Sequence, residues 1–262
     1  MKHASRSKPR PHHGASAGAA VTVRIWGIHA VEAALRNPAR EILRLRLTDN
    51  ARNRLLSALT ARNVTAELAN PYDLDKELGR DVVHQGAALD TRPLPPVDIA
   101  DLAPPAGGDG FVVVLDQVTD PHNVGAILRS AAAFGARGLV MTARNSPPLD
   151  GVLAKAASGG LELVPVAVVA NLARALEQLA EAGFFRVGLA GEAEKTIESQ
   201  QLTGSIALVM GAEDSGLRRL TREHCDILCR IATAGGNLTS LNVSNAAAVA
   251  MHAIISQRMT GR

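Results

Sequence analysis

Hydrophobic and polar residues follow two different patterns along this chain of 262 residues. In the second half, short continuous apolar runs are separated by helical patterns such as the one over 171–182. Continuous runs are typical of strands buried on both faces, and their alternation with helices predicts a parallel sheet covered by helices. The predicted strands are 111–115, 138–141, 164–168, 185–189 and 206–210.

The first half has a more mixed pattern, which predicts a small α/β unit that starts at Arg24. Apolar residues at helical spacing predict a helix over 27–36, and leucines that alternate with Arg44 and Arg46 predict a strand over 42–47. The remaining predicted elements are a helix that is capped by Asn50 or Asn53 and runs to Leu59, a strand over 64–68 and a helix over 73–78.

Prolines and glycines are concentrated between residues 91 and 110. Proline removes a backbone donor and glycine loses much entropy when it is ordered, so this stretch is expected to be a linker. Residues 1–20 are basic and lack apolar periodicity, which predicts disorder. The expected organisation is a disordered basic tail over 1–21, an α/β domain over 22–92, a linker over 93–109 and a parallel-sheet domain over 110–262.

The composition, with 47% apolar and 20% charged residues, is that of an ordinary globular protein. No apolar run is long enough to span a membrane, and a cytoplasmic protein is expected. The net charge of +3 is unevenly distributed. Residues 1–62 hold 12 Lys and Arg against three acids, a net charge of +9, and the remainder carries −6. Such a block indicates either contact with phosphates or a solubilising tail with a solvated helix face.

Several chemistries are disfavoured by what the sequence lacks. Cys225 and Cys229 have no partner cluster, so no metal site is expected and the two thiols are predicted to be buried in a helix. Six aromatic residues are too few for a surface that stacks RNA bases. There is no glycine fingerprint for dinucleotides, no phosphate-binding P-loop and no serine nucleophile elbow.

Three polar clusters lie where a predicted strand ends or a helix begins: 116–125, 210–217 and 235–245. In the first, Asn123 is either a helix cap or a functional residue, and Arg129 points away from the apolar face of the following helix. Gly211 and Gly216, in the second, allow a ligand to approach the backbone closely. The third contains more short polar side chains than one helix cap needs. These side chains are Ser240, Asn242, Ser244 and Asn245.

In this order the clusters resemble the three motifs of the SpoU (TrmH-type) RNA ribose 2′-O-methyltransferases. The matching segments are DQVTDPHNVGAI at 116–127 with RSA at 129–131, MGAE at 210–213 with GL at 216–217, and SLNVSNA at 240–246. WGIHAV at 26–31 and VHQG at 83–86 resemble the family's substrate-binding domain, which is of the ribosomal-protein L30e type. With that domain, the chain most resembles the members that methylate a guanosine ribose of 23S rRNA.

The resemblance implies a SPOUT fold, in which a parallel α/β sheet ends in a deep trefoil knot and two copies form a homodimer. It also implies S-adenosylmethionine as the cofactor, held in the knot. The sequence departs from the family at Ala232, where a proline is usual, and by about one extra residue in 231–240. The residues implied to bind the cofactor are Leu208, Met210, Gly211, Gly216, Ile231 and Leu241.

The resemblance further assigns the role of catalytic base to Arg129, with Asn123, Glu213, Ser240 and Asn242 completing the site. A guanidinium is protonated at pH 7 and has no acceptor, so Arg129 either deprotonates when desolvated or stabilises the developing alkoxide. The helix over 246–256 is expected to form the dimer interface through Met251, Ile254 and Ile255. The residues expected to contact RNA are Arg44, Arg46, Arg52 and Arg54. A methyltransferase acting on tRNA and a non-catalytic RNA-binding relative are the alternatives.

Overall fold

Two sheets organise the chain in the computed structural model, which describes residues 21–104, 108–234 and 241–260. The expected tail therefore lies outside the described residues, except for Val21. The first sheet has four strands in the order β1-β4-β2-β3, with β4 antiparallel to β1 and β2 and with β3 parallel to β2. We call residues 23–91 the four-stranded unit. Its elements are β1 (Val23–Trp26), α1 (Ile28–Arg36), β2 (Ile42–Leu47), α2 (Asp49–Arg54), α3 (Leu56–Arg62), β3 (Glu67–Leu68), α4 (Pro71–Leu78) and β4 (Ala87–Thr91).

The four-stranded unit departs from the predicted pattern at several points. Thr48 caps α2, since its hydroxyl accepts a hydrogen bond from the backbone N–H of Ala51, so the caps predicted on Asn50 and Asn53 are wrong. The strand predicted over 64–68 is reduced to two residues. The strands β1 and β4 were not expected at all. In β4 every residue is buried, including a carboxylate, and this mixture does not give an alternating pattern.

The second sheet has six parallel strands in the order β10-β8-β9-β5-β6-β7. All five strands predicted for this part are confirmed, with shifts of up to two residues at their ends. We call residues 111–260 the six-stranded unit. Its elements are β5 (Phe111–Asp116), α5 (Pro121–Ala133), β6 (Gly138–Thr142), α6 (Gly151–Ala157), α7 (Gly160–Leu163), β7 (Val166–Val169), α8 (Leu172–Glu181), β8 (Phe184–Leu189), β9 (Ser205–Gly211), α9 (Arg219–Glu223), β10 (Ile227–Cys229) and α10 (Val243–Thr260).

Strand β10 corrects the interpretation of the two cysteines. Cys229 is a buried residue of this strand, and Cys225 lies in the turn before it, so neither thiol belongs to a helix. Burial raises the pKa of the Cys225 thiol to about 12 and also raises that of Cys229. Both thiols therefore remain protonated and unreactive at neutral pH.

Helices cover both faces of the six-stranded sheet, as expected for parallel strands. On one face lie α8 and a short 3₁₀ helix over Ile99–Leu102, with α9 packed against α8, and on the other lie α5, α6, α7 and α10. The apolar cluster on the second face continues into the four-stranded unit. At this junction the ring of Trp26 packs on α6, where a Cβ added to Gly151 would lie 2.0 Å from a ring carbon. Glycine is therefore required at this position for the two units to pack. None of the described helices has the length and apolarity that crossing a membrane requires.

Candidate active site

The first two polar clusters begin on adjacent strands. Asp116, the last residue of β5, is paired in register with Gly211, the last residue of β9. Both clusters therefore leave the sheet at the carboxyl ends of its strands, where parallel α/β sheets bind ligands. Asn242, which belongs to the third cluster and directly precedes α10, lies at the same edge.

Side chains from the three clusters meet at this edge. The amide Nδ2 of Asn242 donates a hydrogen bond of 3.0 Å to Oδ1 of Asn123 and lies 3.4 and 3.5 Å from the two carboxylate oxygens of Glu213. The Oδ1 atom of Asn242 accepts hydrogen bonds from the backbone N–H and the hydroxyl of Ser244, which fixes the orientation of the amide. Three of the five predicted catalytic residues are thus in contact.

The interpretation of Asn123 as a helix cap is wrong. Asp120 caps α5, because its carboxylate accepts a hydrogen bond of 2.9 Å from the N–H of His122, and Pro121 occupies the first helical position. Asn123 lies in the first turn of α5 and has its side chain available for Asn242. The sequence contains a signal for this assignment, because Asp120, three positions before Asn123, is itself a residue type that caps helices.

The structure adds two residues, Asp116 and Arg218, that were not among the predicted catalytic or cofactor-binding residues. The carboxylate of Asp116 is fully buried and accepts a hydrogen bond of 3.0 Å from the backbone N–H of Arg218 and one of 2.6 Å from its Nε. This pair joins the end of β5 to the end of the 210–217 cluster. The signal in the sequence was an aspartate that directly continues a buried apolar strand, where a charge needs a partner.

The glycines of the second cluster close a tight turn. Ala212 and Gly216 exchange two backbone hydrogen bonds of 2.9 and 3.2 Å, and Gly216 has φ = 65°. A Cβ added to Gly211 would lie 2.1 Å from the backbone carbon of Gly216. The close approach that requires glycine at position 211 is therefore made by the chain's own backbone, and the turn presents Glu213 at its tip.

A cleft of about 690 Å³ opens beside this turn, a size within the usual range for small-molecule sites. Five of the six predicted cofactor-binding residues line it: Met210, Gly211, Gly216, Ile231 and Leu241. Leu208 is not among the lining residues. It is fully buried in β9, two residues before Met210, and this burial argues against the direct cofactor contact expected of it.

In the segment after β10, Ala232 stands where a proline is usual in the family. The backbone N–H of Ala232, which a proline would lack, lies 3.3 Å from both carboxylate oxygens of Glu198. The chain therefore uses the extra donor to tie this segment to the 3₁₀ helix over Ile197–Ser199. Ser240, predicted to lie near the methyl acceptor, is outside the described residues.

Arg129 is exposed on α5. It follows Asn123 by six residues, which corresponds to about 9 Å along the helix and roughly 120° around it. Within the described parts of the chain, no hydrogen bond or ion pair joins Arg129 to the other predicted catalytic residues. The described residues also contain no group of three His, Cys, Asp or Glu side chains that could hold a metal ion.

The four arginines expected to contact RNA differ in their availability. Arg52 and Arg54 are exposed, and their side chains have no hydrogen bond or ion pair within the described residues. Arg44 is exposed but donates to Glu67 over 2.6–3.0 Å, a contact that raises the pKa of Arg44 and lowers that of Glu67. Arg46 is only 3% exposed, and burial lowers its pKa. This burial argues against the predicted contact of Arg46 with RNA.

The interface expected on the last helix also needs correction. Met251 and Ile254 are fully buried inside this chain, where they pack in the core beneath α10, and Ile255 is partly buried. The first two side chains are therefore not available to a second copy. Val249 and Met259 are the large apolar side chains that α10 exposes.

Comparison with known protein families gives two matches that together cover most of the chain. Residues 110–252 match the SpoU rRNA methylase family. Residues 24–97 match the domain described as RNA 2′-O ribose methyltransferase substrate binding.

Curated relatives match over almost their whole length. The chain is 40% identical to the 23S rRNA (guanosine-2′-O-)-methyltransferase RlmB of Pseudomonas syringae pv. tomato, over 91% of this chain and 97% of that protein. It is 43% identical to the Escherichia coli enzyme of the same name, over 89% and 98%. Among solved structures, the SpoU methyltransferase AviRb from Streptomyces viridochromogenes in complex with the cofactor AdoMet has a TM-score of 0.76 at 26% identity, covering 91% of each chain.

Proposed function

Because the chain belongs to the SpoU rRNA methylase family, we propose that it transfers a methyl group from S-adenosylmethionine to the ribose 2′-hydroxyl of a guanosine in 23S rRNA. The observation that carries this function is the contact of Asn242 with Asn123 and Glu213, which joins the three family motifs beside the cleft. The same substrate implies action in the cytoplasm.

The test is methylation of unmodified 23S rRNA and of unmodified tRNA, transcribed in vitro, with isotopically labelled S-adenosylmethionine. We expect label in 23S rRNA at a single guanosine, which is located by mapping the 2′-O-methylated ribose. Label in tRNA alone would identify a tRNA enzyme of the same family. Cofactor binding without transfer to either RNA would contradict the proposed activity.

The cleft has the features that S-adenosylmethionine requires. Met210, Ile231 and Leu241 supply an apolar surface for the adenine ring, and the backbone around Gly211 and Gly216 supplies polar groups. When bound, the cofactor supplies an electrophilic methyl group on a positively charged sulfur. The Asp116 to Arg218 pair holds the turn that borders the cleft, so the chain positions the rim from within its core.

The three contacting residues act on the side of the methyl acceptor. Glu213 places a carboxylate at the tip of its turn, where it can accept a hydrogen bond from a ribose hydroxyl. Asn242 is held by Ser244 and Asn123, so its amide keeps one orientation. Alignment of acceptor, methyl group and sulfur supplies much of the rate in such a displacement, and this preorganisation provides it.

Arg129 acts, in this proposal, by stabilising the negative charge that develops on the 2′-oxygen. A guanidinium has five donors and no acceptor, so stabilisation of this charge is better supported than proton abstraction. Arg129→Lys keeps the charge but changes the geometry and the donors. We expect kcat to fall by about 10²-fold with an unchanged pH–rate profile. A profile shifted towards lower pH would indicate that residue 129 acts as the base.

We also propose a division into two domains, a knotted second domain and a homodimer. The mixed four-stranded sheet supports an L30e-like RNA-binding domain over 22–92, followed by a methyltransferase domain over 110–262. In the linker expected over 93–109, Ile99 and Leu102 are buried against the six-stranded sheet, so this part of the linker packs with the second unit. The return of α10 to pack on α5 and β9 is compatible with the family's trefoil knot. Exposed Val249 and Met259 support a homodimer that uses α10. A monomer with full activity at micromolar concentration would contradict the dimer.

A further inference from the structure

A buried ion pair joins the two units of the chain. Arg40 lies in the turn between α1 and β2 of the four-stranded unit, and Glu162 lies in α7 of the six-stranded unit. The guanidinium donates from Nη2 to Oε1 over 2.6 Å and from Nε to Oε2 over 3.2 Å. Their side chains are only 2% and 3% exposed. The contact is therefore bidentate and shielded from solvent.

Further groups complete this junction. Asn37 donates from Nδ2 to Oε2 of Glu162 over 2.8 Å, so both carboxylate oxygens are occupied by donors of the four-stranded unit. The Nη1 atom of Arg40 donates to the backbone carbonyl of Arg92. A buried ion pair adds little net stability over apolar packing, but a planar bidentate contact is satisfied in one geometry only. The pair therefore fixes orientation more than it adds stability.

The helix that carries Glu162 packs directly on the backbone of Arg129. A Cβ added to Gly160, two residues before Glu162, would lie 2.8 Å from the carbonyl oxygen of Leu128 and 3.0 Å from the nitrogen of Arg129. Neither contact can relax by rotation of a side chain, because both atoms belong to the backbone. A continuous, tightly packed path thus runs from Arg40 through α7 to Arg129.

We propose that Arg40 and Glu162 are positioning residues that set the distance and orientation between RNA held by the four-stranded unit and the methyl-transfer site. They thereby determine which ribose reaches the site. This inference rests on the proposed function, because it assumes that the four-stranded unit binds the RNA substrate. Neither residue touches the cleft, so the pair acts on substrate placement and leaves cofactor binding unaffected.

The test compares the Arg40→Met/Glu162→Leu double variant, which replaces the ion pair by apolar side chains of similar size, with the Glu162→Gln variant. The control is Glu32→Gln, which removes the exposed ion pair between Glu32 and Arg36 in α1. Affinity for S-adenosylmethionine is measured by calorimetry. KM and kcat are measured on unmodified 23S rRNA, and the methylated riboses are mapped.

We expect the double variant to bind S-adenosylmethionine within twofold of the wild type, while its KM for rRNA rises at least tenfold and methylation spreads to neighbouring riboses. The control should match the wild type in every measurement. Methylation of the same single ribose with KM and kcat within twofold of the wild type would overturn the proposal. Loss of cofactor binding in both ion-pair variants would also overturn it, because the pair would then maintain the fold. Wild-type protein without activity would contradict the proposed function instead.

Discussion

A four-charge network lies inside the four-stranded unit, whereas the site in the six-stranded unit is centred on two amide side chains. In the network, Arg46 is paired with Asp90 and Glu77, and Arg24 with the same two acids. In the site, Asn242 bonds to Asn123, and the carboxylate of Glu213 remains at the surface. The unit with the higher proportion of basic residues therefore uses several of them to stabilise its own structure.

Because of this difference, only part of the charge of +9 carried by residues 1–62 is unpaired within the protein. Five arginines of the four-stranded unit form ion pairs with carboxylates, and Arg62 donates to backbone carbonyls. Arg52 and Arg54 have no such partner within the described residues. A count of basic residues thus overestimates the charge that is available to RNA phosphates. The paired arginines are Arg24, Arg36, Arg40, Arg44 and Arg46.

The largest expected effect is on stability, at the centre of the network. Asp90 is only 8% exposed, and Arg46→Met leaves its carboxylate without one of its two partners. We expect the free energy of unfolding to fall by about 3 kcal/mol. Urea unfolding followed by circular dichroism measures it. The control is Arg44→Met, which breaks the exposed pair with Glu67 and should cause little change. Equal losses in the two variants would contradict the contrast between buried and exposed pairs.

The next effect is on cofactor affinity, at the turn of the second cluster. Gly211→Ala forces a Cβ against the backbone of Gly216 and distorts the rim of the cleft. We expect the Kd for S-adenosylmethionine to rise at least about tenfold, or 1.4 kcal/mol. The matched control is Gly191→Ala, another cleft residue, whose Cβ would meet nothing within 4 Å. If both variants bind the cofactor equally well, the turn does not shape the cleft.

A smaller effect is expected on the salt dependence of RNA binding. The Arg52→Gln/Arg54→Gln variant removes two exposed positive charges and should reduce the slope of log K against log salt concentration by roughly 0.7–0.9 for each phosphate that is no longer neutralised. Arg174→Gln, at an exposed position of α8, is the control with no expected change. Filter binding to 23S rRNA over a salt series gives the slopes. An unchanged slope in the double variant would exclude these two residues from the RNA interface.

The smallest effect concerns pH and a surface pair in the six-stranded unit. The pKa of His224 is raised, first by its hydrogen bond to the carbonyl of Leu220 and then by Glu177. The stability from this group is complete below about pH 6.5 and is lost as the pH rises through the higher pKa of the folded state. We expect His224→Gln to remove this decline, measured as urea midpoints between pH 5 and 8. A decline of the same size in the variant would assign it to other groups.

The parallel sheet was predictable because its strands are continuous apolar runs that end in polar clusters. The residues that lie close to each other in the site were predictable only through the family's motifs, since Asn123 and Asn242 are 119 positions apart. Arg46 shows the limit of local patterns. It alternates with leucines as an exposed residue does, yet two acids that follow more than 30 positions later allow its burial. The Asp116 to Arg218 pair also depends on distant partners, 102 positions apart.

The Arg40 to Glu162 pair has a further consequence during synthesis of the chain. Arg40 is made 122 residues before its carboxylate partner, which at 5–20 residues per second corresponds to roughly 6–24 s. During that interval the guanidinium lacks its carboxylate partner and has only the backbone carbonyl of Arg92 as an acceptor. Protease resistance of ribosome-arrested chains that end before or after α7 measures this delay. The four-stranded unit therefore gains this buried ion pair only after α7 of the six-stranded unit has been made.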